Sequence, residues 1–330
     1  MRFGLLASHQ YLHSDDLGQR LSEMWDLAET AQGLGYDSMW TIHHYLANLA
    51  TLQPISMTAR LTGLTDGMTI GTAILLAPFL HPVHIAEEFA TLDQISGGRV
   101  VLGLGAGYRD NEFEAFGIPR SQRAGRLTET IEIVRELWSG EEVDYRGRHY
   151  QVSGHTISVP PHQPGGPPIW IGAGAKPAVR RAARMGDAWF APGNSPNPRY
   201  LEKALALHDR ELAEAGKTRE GREYPVIVEL FCGPDDQTAV ESALPFIEKE
   251  YMIYSEYEAI SWQQSRIEEL VRGTFHVGSP ATLIARMESL AQLGINHVVF
   301  RPFWTGMPAS LSKDSVKRFA EEVIPHFRKD

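Results

Sequence analysis

Eight short apolar runs, each followed by a stretch with helical spacing, repeat along this 330-residue chain. The runs fall at 2–7, 37–42, 68–76, 99–105, 168–173, 187–191, 225–231 and 296–301. Between them apolar residues recur every three or four positions. Leu21, Met24, Trp25, Ala28 and Ala31 share one face, and Leu127, Ile131, Val134 and Leu137 share another. A third face, Leu283, Met287, Leu290 and Ala291, stops at Gly294, a helix-ending residue. Strand then helix, eight times, predicts a (β/α)8 TIM barrel, with 1–330 as a single domain. Two insertions exceed the minimal barrel. Residues 140–167 carry Pro160, Pro161, Pro164 and Pro167, with Pro168 at the edge. Residues 246–276 are rich in aromatics: Phe246, Tyr251, Tyr254, Tyr257, Trp262 and Phe275. Long insertions in barrels are usually functional loops. The second reads equally as a lid or as an extra helical pair packed inward at a subunit interface.

Charge and cysteine usage narrow the partners. The formal net charge of -10 argues against nucleic acid, which calls for a basic face. The single cysteine, Cys232, rules out an intrachain disulfide and any multi-cysteine metal site. No apolar run approaches the roughly 20 residues that span a bilayer. The N-terminus enters a strand directly, with no signal-peptide anatomy, so a cytoplasmic protein away from membranes is expected.

In a barrel, chemistry gathers at the C-terminal strand ends. Those ends deliver His9, Gln10 and Tyr11; His43, His44 and Tyr45; Pro78 and His81; Gly105, Ala106, Gly107 and Tyr108; residues 172–176; Pro192, Gly193 and Asn194; and Arg301, Pro302 and Phe303. The glycines at 103, 105 and 107 suggest a wall against something bulky. They miss the dinucleotide fingerprint, because Tyr108 stands where its third glycine belongs. A metal is not expected: His-x-His is missing from the first strand end, and His81-Pro82 more simply starts a helix. A Schiff-base lysine on a strand is missing as well. Gly172, Ala173, Gly174, Ala175 and Lys176 fit an anion better, as a glycine-rich loop running into a helix at Pro177. Glycine-lined walls with an anion pocket suggest a planar phosphorylated ligand such as a flavin.

An ordered set of segments resembles the luciferase-like flavin-dependent oxidoreductases. It comprises 35–40 (Gly-Tyr-Asp-Ser-Met-Trp) through His44, 70–78 with His81-Pro82, 92–99, 103–116, 171–174, 186–189, 277–280 and 293–297. The resemblance implies a TIM barrel holding FMN or the deazaflavin F420. It places Ala73-Ile74 at a non-prolyl cis peptide against the cofactor ring. Gly105, Ala106, Gly107 and Tyr108 would line that ring or its ribityl chain, with Gly193 nearby, and residues 172–176 would hold the phosphate. His44 aligns with the first histidine of a Glu-His-His segment and Tyr108 is a candidate donor beside the flavin. His43 and Tyr45 depart from the segment on either side.

The resulting expectation is a monooxygenase. Reduced FMN from a separate flavin reductase would react with O2, form a C4a-(hydro)peroxide and oxygenate a small organic substrate, with His44 as base. An F420-dependent hydride transfer at the same site is the alternative, and a non-catalytic flavin-binding protein the second. A homo-oligomer, dimer or tetramer, is also implied.

Overall fold

The computed structural model describes residues 1–7, 9–195, 197, 199–254 and 267–328. Eight parallel strands close into a barrel: β1 (Arg2–Ala7), β2 (Ser38–Thr41), β3 (Thr69–Thr72), β4 (Val100–Gly105), β5 (Ile169–Gly172), β6 (Ala188–Pro192), β7 (Pro225–Cys232) and β8 (His297–Arg301). Each strand pairs with the next, and β8 pairs with β1 from Arg2↔His297 to Leu5↔Phe300. Closure leaves no strand edge of the barrel unpaired. The described helices are α1 (Leu17–Gly33), α2 (Pro54–Thr62), α3 (Pro82–Ser96), α4 (Asp110–Ala115), α5 (Arg123–Trp138), α6 (Lys176–Met185), α7 (Tyr200–Glu214), α8 (Asp236–Tyr254), α9 (Ile267–Gly273), α10 (Pro280–Gln292), α11 (Ala309–Arg318) and α12 (Ile324–Phe327). None of them is long and apolar enough to cross a membrane.

Local signals set the helix ends. Asp16 accepts the Gln19 N–H at 3.1 Å to start α1, and Ser279 accepts the Thr282 N–H to start α10. His81 Nδ1 accepts the Val83 N–H and Pro82 occupies the first turn of α3, so these residues do start a helix. That helix ends at Gly97, whose φ of 66° suits glycine. The apolar run at 68–76 is not one continuous strand. It breaks at a cis Ala73-Ile74 peptide, and Leu75–Leu76 then pairs separately with Leu104 and Gly105.

Side chains alternate along the strands between helices and lumen. Phe3 and Leu5 of β1 join the outer core with Met24 and Leu27, whereas Leu6 joins Trp40, Trp170 and Phe190 inside the barrel. Trp40 stacks on Trp170 at 4.7 Å between ring centres. Below them a polar relay closes the N-terminal end. Trp40 Nε1 donates to Ser38 Oγ (2.8 Å), Ser38 Oγ meets His297 Nε2 (2.7 Å), and His297 Nδ1 meets Glu223 Oε2 (3.1 Å), which pairs with Arg2.

The 140–167 insertion packs against α3 and α5. It forms an antiparallel hairpin, Val143–Arg146 with Gln151–His155, and then runs down the outside of α3. Two carboxylates tie it there. Glu129 of α5 accepts the N–H groups of Arg148, His149 and Tyr150, and Asp93 of α3 accepts both Gln163 N and Gln163 Nε2 at 2.7 Å. Buried carboxylates need such donors, and the insertion supplies them. In the 246–276 stretch, Tyr257 and Trp262 lie outside the described residues. Tyr251 and Phe275 pack inward with Tyr11, Phe231, Phe303 and Trp304.

Candidate active site

Three histidines reach the C-terminal mouth of the barrel, and their partners separate their roles. His9 Nε2 accepts the Ile42 N–H at 3.2 Å. His43 Nδ1 accepts the Leu76 N–H at 3.0 Å. Burial pushes their pKa values down to about 4 and about 3 respectively, so both are neutral structural acceptors that pin the strand ends. His44 continues the lumen-facing series of Trp40 and Ile42. Its Nδ1 lies 3.0 Å from Glu112 Oε1, and the same oxygen accepts the Tyr45 N–H at 2.8 Å.

Glu112 is the residue that the sequence motifs do not single out. It lies in the first turn of α4, just after the glycine-rich end of β4, and its side chain is fully buried. Glu112 Oε2 has no hydrogen-bond partner among the described residues. The absent glutamate before His44 is thereby explained: its carboxylate partner comes from the next-but-one strand end, and His43 is occupied elsewhere. Burial lowers the His44 pKa, Glu112 opposes that fall, and Arg109 and Arg301 reinforce it. The lowered pKa favours the neutral imidazole, with Nδ1 directed at Glu112.

A row of rings and cations crosses the mouth from His44. The Tyr108 ring stands edge-on to His44 at 5.6 Å. Arg109, 2 % exposed, holds its guanidinium 5.7 Å from the Tyr108 ring and 5.5 Å from the Tyr254 ring. Arg301 lies 5.9 Å from the same Tyr254 ring. Arg301 follows Val299 in the lumen-facing phase of β8 and is opposite Glu229 of β7 in register. It pairs with Glu250 of α8 and approaches Glu229 Oε2 at 3.6 Å. Glu229 also accepts Tyr251 Oη (3.0 Å) and Trp304 Nε1 (2.8 Å), and Glu250 accepts the Thr305 N–H (2.8 Å). Arg301 is among the strand-end candidates above. Glu229 has its own signal, a carboxylate on the inward phase of an otherwise apolar strand.

The glycines expected to line a cofactor pack against the protein itself. Ile74, partly exposed in the mouth, sits where a Cβ on Gly105 or Gly172 would clash with it; at Gly172 the approach would be 2.9 Å to Ile74 Cγ2. These glycines therefore let the Ile74 side chain lie flat, and Ile74 with Ala73 forms the apolar surface. Ala106 and Gly107 stay partly exposed beyond it. Gly193 is a packing glycine: its N–H donates to the Ile227 carbonyl at 2.7 Å and its α-carbon faces Val226 and Val228. At 172–176 the loop is fixed by its carbonyls. Trp189 Nε1 donates to Ala173 O and Tyr200 Oη to Gly174 O, each at 2.8 Å. Ala175 and Lys176 then open α6 in solvent, with no side chain capping the helix.

Residues 1–297 match the luciferase-like monooxygenase family. The chain belongs to that family. It is an enzyme of the luciferase-like group, an oxidoreductase on a TIM barrel. The F420-dependent glucose-6-phosphate dehydrogenase of Microbacterium testaceum is 32% identical, covering 100% of this chain and 98% of the relative. The enzyme of that name from Mycobacterium tuberculosis is 25% identical over 93% of this chain and 94% of its own. Among solved structures, monooxygenase RslO1 from Streptomyces bottropensis superposes with a TM-score of 0.89 at 25% identity, covering 99% of this chain and 100% of that one. An F420-dependent secondary alcohol dehydrogenase shares the fold at a TM-score of 0.82 and 20% identity, covering 99% of each chain.

These relatives correct the expectation of an FMN-dependent monooxygenase: curated relatives that match nearly the full chain are F420-dependent glucose-6-phosphate dehydrogenases. The reason is physical. FMN and F420 both carry a planar tricyclic ring and a phosphate-bearing arm, so a flat apolar wall and a helix-start anion site suit either. Those two features are common to both cofactors.

Proposed function

We propose that this luciferase-like enzyme is an F420-dependent oxidoreductase that transfers hydride to or from a small alcohol or carbonyl substrate. The observation that carries this reading is the buried His44–Glu112 pair beside Tyr108 and the flat Ala73-Ile74 surface. The full-length curated relatives support F420 as the partner. The residues fit such a group. A planar ring suits the wall that Ile74 makes over Gly105 and Gly172, and the orphaned Glu112 Oε2 offers a hydrogen-bonding atom that the described residues leave unused.

Bound deazaflavin would supply a carbon centre that accepts a hydride. In the alcohol-to-carbonyl direction the substrate C–H and O–H bonds break and a C=O bond forms. The electron pair leaves with the hydride and the proton passes to His44 Nε2. Glu112 fixes the His44 tautomer, because an acceptor at Nδ1 requires the proton there and leaves Nε2 basic. Glu112 also steadies the imidazolium formed after proton transfer. Tyr108 and Arg109 position the ring of His44 from the β4 side. Residues 172–176 and the start of α6 are assigned to the cofactor's phosphate.

Equilibrium titration tests the cofactor directly. F420 is expected to bind at least about tenfold more tightly than FMN; a preference for FMN sinks the reading. The pH profile tests the pair. His44 must be unprotonated to act, so kcat/KM falls as pH drops through its pKa. Glu112 holds that pKa up. Glu112→Gln is therefore expected to move the acid limb to lower pH while lowering kcat. An unmoved or raised limb shows that Glu112 does not act through His44.

A further inference from the structure

The N-terminal end of the barrel holds a cleft of about 640 Å³ that no step of the proposed reaction uses. It opens where β1, β3, β4 and β5 begin, and the 215–224 connection from α7 to β7 forms another wall. Val101 and Trp170, which also face the lumen, give it an apolar lining. The rest is charged. Arg2 pairs with Glu223, and Arg135 pairs with Asp187 at 2.9 Å, so those charges are compensated. Arg99, Lys217 and Arg222 remain, against the exposed Glu220 alone. Among the described residues none of the three meets a carboxylate in a salt bridge; their partners are main-chain carbonyls. Arg99 donates to the carbonyls of Ser96, Thr65, Met68 and Thr62, Lys217 Nζ to Arg184 O at 2.6 Å, and Arg222 Nη1 to Asp187 O at 2.9 Å. A carbonyl satisfies a donor but carries no net charge, so three positive charges stand on a chain of formal net charge -10 with little to balance them. Arg99 is a clamp whose charge acts from a fixed place. Lys217 and Arg222 keep donors to offer: two ammonium protons, and the Nε and Nη2 groups, make no hydrogen bond to the described residues. Burial and the neighbouring Arg222 hold the Lys217 pKa below the usual lysine range, with Asp187 opposing them, so the two cations lie in each other's field.

We propose that this cleft binds a phosphate monoester, with the dianion between Lys217 and Arg222 and the organic part against Trp170 and Val101. Two cations from one connection, with a third fixed on the facing strand start, suit a doubly charged group better than a single carboxylate. Inorganic phosphate would fill only part of the cleft and leave the apolar lining unused. The connection that carries both donors is held in shape. Gly216 and Gly221 take φ values of 70° and 71°, and Asn296 bridges its end, donating to Arg222 O at 2.9 Å and accepting the Tyr224 N–H at 2.7 Å. A site fixed in this way loses little order when a ligand arrives. It lies at the opposite end of the barrel from His44 and from the 172–176 loop assigned to the cofactor, and it does not rest on the hydride-transfer reading.

Phenyl phosphate, inorganic phosphate and phenol separate the two halves of the site. Each is titrated into the full-length protein by calorimetry at low ionic strength, with and without F420. Phenyl phosphate is expected to bind with a Kd below about 1 mM, at least about threefold tighter than inorganic phosphate and about tenfold tighter than phenol. F420 is expected to leave that binding unchanged. Lys217→Glu reverses one charge and is expected to weaken phenyl phosphate at least about tenfold, and Arg222→Gln at least about fivefold. Lys217→Gln, expected to cost at least about threefold, is the variant to use should the charge reversal fail to fold. Absence of saturable binding up to about 10 mM overturns the proposal, as does a Lys217→Glu affinity within about twofold of the parent. Displacement of phenyl phosphate by F420 also overturns it, because the anion then sits in the cofactor's place. Inorganic phosphate binding as tightly as phenyl phosphate overturns the assignment to a monoester.

Discussion

Replacing His44 with alanine is expected to lower kcat by between about 100-fold and about 10,000-fold, the range a positioned general base contributes. Binding of F420 is expected to change by less than about threefold, because His44 Nδ1 bonds to Glu112 and not to the assigned cofactor wall. Stopped-flow reduction of F420, read beside its equilibrium titration, separates the two effects. Unchanged turnover rejects His44 as the base. Lost cofactor binding with normal single-turnover chemistry moves His44 into the cofactor's own contacts. An alanine at this position also leaves Glu112 without its imidazole partner in a buried place, so a thermal melt accompanies the kinetics.

The second large effect concerns the fold. Gly103→Ala is expected to destabilise the protein by about 3 kcal/mol or more, or to prevent folding. A Cβ at this lumen-facing position of β4 would fall inside the van der Waals contact of the Thr72 carbonyl oxygen, and backbone cannot swing away as a side chain does. Thr72 Oγ1 adds to the constraint: it donates to Gly103 O at 2.7 Å and accepts the Gly103 N–H at 3.1 Å. Denaturant unfolding followed by tryptophan fluorescence reads the loss, since Trp40 and Trp170 fill the lumen nearby. A melt within about 1 kcal/mol of the parent shows that β3 and β4 can part without cost.

Most of the barrel is legible in the sequence because its information is periodic. The alternation of Val226, Val228 and Leu230 with Ile227, Glu229 and Phe231 stands in the order of the residues themselves. Apart from the run at 68–76, each apolar run ends close to its observed strand. The break after Thr72 follows from the resemblance and not from periodicity, since an apolar run looks the same on either side of it. The site is legible where chain neighbours carry it, as at His43 and His44, Gly105 to Tyr108, and 172 to 176. It is opaque where partners meet across the mouth. Glu112 is 68 residues from His44 in the chain, and Glu250 reaches Thr305 from 55 residues away. No local spacing records such a meeting; only closing the barrel does. The glycines illustrate a milder failure. They do signal close approach, but the approaching groups at 103, 105 and 172 are Thr72 and Ile74 of the chain itself.

The relay beneath Trp40 has a consequence for recognising enzymes by shape. Serine, histidine and glutamate stand there in the order and at the separations of an acyl-transfer centre, with Ser38 Oγ at 2.7 Å from one imidazole nitrogen and Glu223 at 3.1 Å from the other. Yet Ser38 has no accessible surface, its oxygen already receives the Trp40 indole N–H, and Gly4 packs directly over it. A hydrolase template would select this end of the molecule and miss the other. Nucleophilicity demands a path for the electrophile as much as a base, and in this chain the two ends of one barrel divide those requirements: one holds the constellation sealed, the other holds a partly exposed imidazole.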